Sequence, residues 1–307
     1  MKILIVGAGA IGGYFGGRLL EKGADVTFLV RKKRQKQLKE NGLVVSSIHG
    51  DLHFPALQTV GPESQPEPYD VILVSTKSYH LDGAIDSIRP FVGDRTMILP
   101  LLNGIAHLDA LTEAFGPEKV IGGLCFIETT LDESGKVIQT SPVQDLVFGE
   151  RNGERSERIL QLQATFDDTK ANFRLSENIE QEMWQKYLFI TSLSGITSLF
   201  RAPIGPIREQ TQGAETIKSL LHETVEIMTA IGAPLSEGAM DATWNKLNEI
   251  GHGMKSSLQR DIEKSLLTEG DHLFGFLLKK AAELQIDAPT LSAVYANVDI
   301  YESMLNS

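Results

Sequence analysis

The stretch MKILIVGAGAIGG, residues 1–13, decides the fold. Residues 2–6 (KILIV) form a short, unbroken apolar run rich in β-branched side chains. Unbroken rather than alternating apolarity predicts a strand buried on both faces, as in a parallel sheet. Gly7-Ala8-Gly9-Ala10-Ile11-Gly12 follows at once and fits G-x-G-x-x-G. A helical pattern over 11–22 comes next, with Gly23 as its stop. The glycine pattern alone is weak, but between a strand and a helix at the head of a βαβ unit it has the context it needs. Gly7 permits the tight turn, Gly9 lets the backbone approach a pyrophosphate, and Gly12 lets the helix pack close to the strand. Free N–H groups at the helix start then bind phosphate charge.

Working outward, residues 25–30 read as a second strand and 31–40 as a polar helix. Residues 43–47 and 51–56 read as a hairpin turning at His49-Gly50, and 61–68 (GPESQPEP) as a loop. Strands follow at 71–75, 96–99 and 120–127, with a helix at 81–88. Residues 135–140 and 144–149 suggest further, antiparallel strand. Strand–helix–strand repetition predicts a doubly wound α/β sheet. After about residue 165 strand signals vanish. Helical patterns cover 180–200, 213–231, 244–250, 255–267, 272–285 and 291–305, the last two separated at Ala288-Pro289. The expected architecture is therefore α/β: an N-terminal Rossmann domain over 1–170 and an all-helical domain over 171–307, with the boundary between 167 and 179.

The 307 residues show no internal repeat or low-complexity tract, and no apolar run is long enough to span a bilayer. A single cysteine, Cys125, excludes an internal disulfide and fits a reducing, cytoplasmic compartment. Its neighbours GGLCFIE suggest a buried strand rather than a nucleophile's setting. A formal charge of −11 argues against nucleic acid as a partner. The histidines show no metal pattern: His49 and His53 are four apart, but in a hairpin.

Against that acidity, Arg31, Lys32, Lys33, Arg34, Lys36 and Lys39 crowd into nine residues. In this fold an acidic residue at the end of the second strand reads the adenosine 2′-hydroxyl of NAD, whereas a cation there accommodates a 2′-phosphate. Arg31 stands at that point. It predicts NADP(H), with help from Lys32 or Arg34, while Lys36 and Lys39 read as a solvated helix face.

Three further features belong together. Lys77 follows the strand VILVST, and Asn103 lies in LLNG just past the strand TMIL. Both sit at carboxyl ends of expected parallel strands, where a dinucleotide lies. In EQEMWQKYLFITSLSGITSLF, Lys186, Ile190, Ser194 and Thr197 fall along one helix face. Spacing alone leaves Lys186 either a snorkelling lysine or a catalytic one.

GAGAIG, Lys77, LLNG, the W-x-K helix and SSLQRDIEKSLLTEGDHLFG together resemble the ketopantoate reductases (2-dehydropantoate 2-reductases) over essentially the whole chain. The resemblance implies NADPH-dependent reduction of ketopantoate to pantoate, on the way to pantothenate and coenzyme A. It implies Lys186 as proton donor, Asn103 in contact with nicotinamide and substrate, and Lys77 in contact with the cofactor. It further implies Ser257 as a substrate ligand and Glu269 at the cofactor and lysine side of the cleft. Ser257 and Glu269 are twelve residues apart, about 120° around one straight helix, so a bend is expected between them. A small 2-oxo acid is the implied partner, with a homodimer through the last helices as a further expectation.

The resemblance fails at three places. Family asparagines four and eight residues after the lysine, and one further on, are here Ile190, Ser194 and Ile204. An apolar replacement leaves a substrate polar group unpaired, at roughly 1–3 kcal/mol. Two alternatives follow: a related enzyme for a more apolar 2-oxo acid or ketone, and an NADP-binding redox sensor without turnover. Arg201, in SLFRAPIG, either binds a carboxylate or caps its helix.

Overall fold

β1 (Lys2–Val6) has no polar side chain beyond Lys2, and Ile3, Leu4 and Ile5 are fully buried. Such a strand is stable only at the centre of a covered sheet. The computed structural model describes residues 1–61, 64–65 and 67–305. It divides into two compact units, one of Met1–Leu102 with His107–Ile179, the other of Asn103–Ala106 with the chain from Glu180 onward.

In the first unit β1 leads into α1 (Ala10–Lys22), β2 (Asp25–Leu29), α2 (Lys32–Asn41), β3 (Leu43–Ser47), β4 (Leu52–Phe54) and β5 (Gln58–Val60). Then come β6 (Val71–Val74), α3 (Leu81–Ile88), β7 (Met97–Pro100), α4 (His107–Phe115), β8 (Gly122–Leu131), β9 (Val137–Gly149), α5 (Glu157–Phe166) and β10 (Asn172–Leu175). A parallel sheet has the order β5-β2-β1-β6-β7, and a second, mixed sheet has the order β10-β9-β3-β4 with β8 paired to β9.

α1 packs against both sheets, and the glycine pairs in its sequence GGYFGG make this possible. A Cβ at Gly12 would stand 2.1 Å from the Gly7 carbonyl oxygen, and one at Gly16 would stand 2.6 Å from Ile5 of the parallel sheet. One at Gly13 would come within 2.9 Å of Val137, and one at Gly17 within 3.3 Å of Leu52, both in the second sheet. Each helical glycine costs up to about 1 kcal/mol against alanine. Here close approach on two faces offsets that cost: every residue from 12 to 19 is buried.

Several elements differ from the sequence expectation. β9 is one strand, not two: its register slips opposite Ile127 and Thr129, and Pro142, which lacks an N–H, falls in that irregularity. β5, α4 and α5 were not expected, and β10 is strand beyond residue 165. β10 has four residues (NFRL) and none fully buried, too short an apolar signal to read. The predicted loop over 61–68 includes residues 62, 63 and 66, which lie outside the described residues.

The second unit is helical: α6 (Ile179–Phe200), α7 (Ile204–Glu209), α8 (Thr211–Ala230), α9 (Ala239–Glu249), α10 (Ser257–Glu263), α11 (Phe276–Leu284) and α12 (Pro289–Leu305), with a π-helical turn at Asp271–Gly275. α6 runs through its core. The hydroxyls of the fully buried Ser192, Thr197 and Ser198 donate to the carbonyls four residues earlier at 2.9, 2.7 and 2.6 Å. Those bonds let the polar run TSLSGITS lie inside. The buried Glu223 carboxylate of α8 accepts from the Thr290 and Leu291 N–H groups, capping α12.

Candidate active site

In the first unit the glycine loop lies where three strand ends meet. The Gly7 N–H donates to Leu29 O at 3.0 Å, and the Ser75 hydroxyl after β6 donates to Val6 O at 3.0 Å. Gly7 has φ +88°, a left-handed conformation suited to glycine. Gly9 is the N-cap of α1, and no acidic side chain occupies the first turn, where Ala10, Ile11 and Gly12 stand. The N–H groups of that turn have no intrahelical acceptor. A Cβ on Gly9 would meet nothing within 4 Å, so space in front of the helix is open. Beside the loop, Thr76 Oγ1 is buried with no hydrogen-bond partner among the described residues. An open cradle, bare helix amides and an orphaned hydroxyl fit the phosphates of a dinucleotide.

Arg31 is exposed at the N-cap of α2, two residues past β2. His80 lies within its field: burial, then the Arg31 cation, lowers the His80 pKa. Lys32 and Lys33 are exposed. Arg34 turns back instead, its Nε donating to the Ala8 carbonyl at 2.9 Å, so it braces the glycine loop. Its buried Nη2 has no hydrogen-bond partner among the described residues. Lys77 begins the short 3-10 turn Ser78–His80 and is half-buried.

In the second unit Lys186 is 7% exposed, too buried for a snorkelling lysine. The adjacent Tyr187 is fully buried, and its hydroxyl donates to Leu273 O of the π-helical turn at 2.6 Å. Burial keeps that phenol neutral by pushing its pKa well up. Glu269, also 7% exposed, precedes the turn, and its backbone carbonyl accepts from the Leu273 N–H. Its neighbour Thr268 is pinned by Glu302 of α12, to which its N–H donates at 3.0 Å and its hydroxyl as well. α10 ends at Glu263 and residues 264–269 are not helical, which supplies the expected break after Ser257.

Asn103 opens a turn with Gly104 at φ +79°. A Cβ on Gly104 would lie 3.0 Å from His272 Cδ2 and 3.2 Å from Nε2. The His272 ring therefore abuts the Asn103–Gly104 backbone, three residues after Glu269. Burial lowers the His272 pKa, against the opposing pull of Glu269 and the Asn103 backbone. Sequence reasoning missed His272, since one histidine in a helical pattern carries no signal of its own.

The remaining substrate positions separate. Ser257 is exposed at the first position of α10, while Ser256 caps that helix through the Gln259 N–H and accepts from Thr197. Ile190 is half-buried and Ser194 is 4% exposed. Ile204 is fully buried at the start of α7, so it is a core residue and no mark of an altered pocket. Arg201 caps α6, its guanidinium donating to Ser198 O at 2.7 Å. Lys246 of α9, not singled out by the sequence, places its Nζ 4.3 Å from the centroid of the Phe189 ring.

A family model described as "Ketopantoate reductase PanE/ApbA" matches residues 3–153, and its C-terminal counterpart matches 178–302. The chain is 45% identical over 304 residues to the "Uncharacterized oxidoreductase YkpB" of Bacillus subtilis, covering 99% of each. It is 27% identical to the 2-dehydropantoate 2-reductase of Pyrococcus horikoshii over 99% of this chain and 98% of that one. The crystal structure of the 2-dehydropantoate 2-reductase of Geobacter metallireducens superposes with a TM-score of 0.87 at 28% identity, covering 97% of this chain and 99% of that one.

Proposed function

Because the chain belongs to the ketopantoate reductase family, NADP-dependent oxidoreductases acting on a C=O/CH–OH pair, we propose that it reduces 2-dehydropantoate to pantoate, a step toward pantothenate and coenzyme A. When bound, NADPH supplies the hydride. The glycine loop, Arg31 and Lys77 of the 1–170 domain bind the cofactor. Asn103 contacts nicotinamide and substrate, Ser257 holds the substrate, and Ser194 gives a second polar contact beside Ile190.

Lys186 does the proton chemistry. Its ammonium stabilises the alkoxide left by hydride transfer and protonates it. Glu269, buried in the same unit, acts beside it. The observation that carries the reading is a lysine only 7% exposed, next in sequence to the anchored Tyr187, in a unit that also holds Asn103 and Glu269. The test is loss of NADPH absorbance against ketopantoate, 2-oxoisovalerate, pyruvate and larger apolar 2-oxo acids. Ketopantoate should be turned over best, and Lys186→Ala should lower kcat by roughly 10²–10⁴-fold. Turnover of a larger apolar 2-oxo acid in preference favours the second reading, which rests on the apolar Ile190.

A further inference from the structure

Resting on the roles of Asn103 and Lys186 in the reading above, we propose that His272 is a positioning residue for the reduction: its ring seats the Asn103–Gly104 turn and ties it to the helix that carries Lys186. Residues Asn103–Ala106 group with the helical unit, although the chain on both sides of them groups with the other. Four residues form no core of their own, so a contact within the helical unit has to hold them. Gly104 and Ile105 are buried. A Cβ on Gly104 would stand 3.0 Å from His272 Cδ2, 3.2 Å from Nε2 and 3.5 Å from the His272 carbonyl oxygen. Ring and backbone of His272 thus both lie against the Gly104 backbone. With glycine this contact is a seat; a methyl group there would turn it into an obstruction. Burial lowers the His272 pKa, so the ring is neutral at pH 7 and acts by contact rather than by charge.

His272 is itself held. It stands second in the π-helical turn Asp271–Gly275. On one side of it, Asp271 accepts from the Tyr295 hydroxyl of α12. On the other, Leu273 O accepts from the Tyr187 hydroxyl at 2.6 Å, and Tyr187 is next to Lys186 in α6. Ahead of the turn, the Thr268 N–H is bound by Glu302 of α12 at 3.0 Å. A continuous path therefore runs from Lys186 through Tyr187, Leu273 and His272 to Gly104 and Asn103, each link a chain neighbour, a hydrogen bond or a close contact. Hydride has to reach the carbon and a proton the oxygen of one carbonyl group, so both ends of this path must stay in register. A displacement of about 1 Å can cost on the order of 10²-fold in rate.

The test mixes the full chain, loaded with NADPH, with the 2-oxo acid it turns over best and follows a single turnover. The amplitude counts folded, loaded enzyme; the rate constant reports geometry. His272→Ala should lower the rate constant about tenfold or more, with NADPH affinity within about threefold of wild type. His272→Phe, which keeps a ring, should recover most of the loss. Tyr187→Phe removes only the hydroxyl bonded to Leu273 O; it should slow the same step about threefold or more, and it serves if His272→Ala does not fold. Loss of amplitude at an unchanged rate constant, or no recovery in His272→Phe, overturns the proposal. Amide hydrogen exchange gives a readout without turnover. Peptides covering 103–106 should exchange about tenfold faster in His272→Ala, and unchanged exchange overturns the proposal. Faster exchange there in a protein that turns over no 2-oxo acid would sink the reductase reading alone. Turnover with rate constant and exchange both unchanged would sink this proposal alone.

Discussion

Arg31 caps α2 with its backbone and leaves its side chain in solvent, beside a glycine loop braced by Arg34. The two arginines are thus placed differently: one side chain is exposed and the other folds back onto Ala8. A charge-assisted contact contributes roughly 1.5–3 kcal/mol, or about a 10- to 150-fold preference for NADPH over NADH. Arg31→Ala should lose that preference in the ratio of dissociation constants, and an unchanged ratio would refute the assignment. Gly104 makes a second residue-scale prediction. Alanine there meets a left-handed φ, costing about 1–2 kcal/mol, and a His272 ring 3.0 Å away. Gly104→Ala should lower kcat/KM at least tenfold by displacing Asn103. Adding His272→Ala should recover the part due to the clash and not the part due to φ, measured as a double-mutant cycle. Lys186, Asn103 and Glu269 could be put forward from sequence because each stands in a motif that carries the family resemblance. His272 and Lys246 could not, because their surroundings come from segments far away in sequence.

Elements read well where one periodicity ruled and poorly where two constraints met. β1, β6 and β7 are continuous apolar runs, and their buried central positions match. α1 reads as a helix, but nothing in GGYFGG says that it serves two sheets at once. β10 failed because an edge strand of four residues has little to bury. The junction of β9 and α5 carries a prediction of its own. Glu150, just past β9, accepts from Arg158 Nε and Nη2 of α5 at 2.6 Å each and from the Ser156 hydroxyl at 2.7 Å. Burial raises its pKa, but the bonds from Arg158 and Ser156 outweigh this and the net shift is downward. A carboxylate with a depressed folded-state pKa contributes stability above its unfolded value, and the contribution is lost as pH falls through the folded value. Glu150→Gln should therefore cost about 1–3 kcal/mol at pH 7. The gap between wild type and variant should close in acid, below the ordinary glutamate value of 4.5. Urea titrations at several pH values measure this, and a gap independent of pH would refute the pairing.

At the scale of the molecule, a chain of net charge −11 must attract a cofactor that is itself a polyanion. The mean field opposes the encounter, so attraction has to come from the local charges: Arg31, Lys32 and Lys33 exposed at the head of α2, and the bare amides of α1. These two fields respond to salt with opposite sign. If net charge governed, salt would screen repulsion and tighten binding. If the cluster governs, salt weakens binding, because exposed charges are screened within a Debye length, about 10 Å at 0.1 M. Arg31, Lys32 and Lys33 are exposed together at the head of one short helix, so their field is concentrated there. NADPH affinity should therefore fall as ionic strength rises from about 0.01 to 1 M, and more steeply than NADH affinity, since only NADPH presents the 2′-phosphate. Arg31→Ala should bring the two salt slopes together. Parallel slopes in the wild type would mean that the basic run at 31–34 is a solvated helix face and that cofactor choice is made elsewhere.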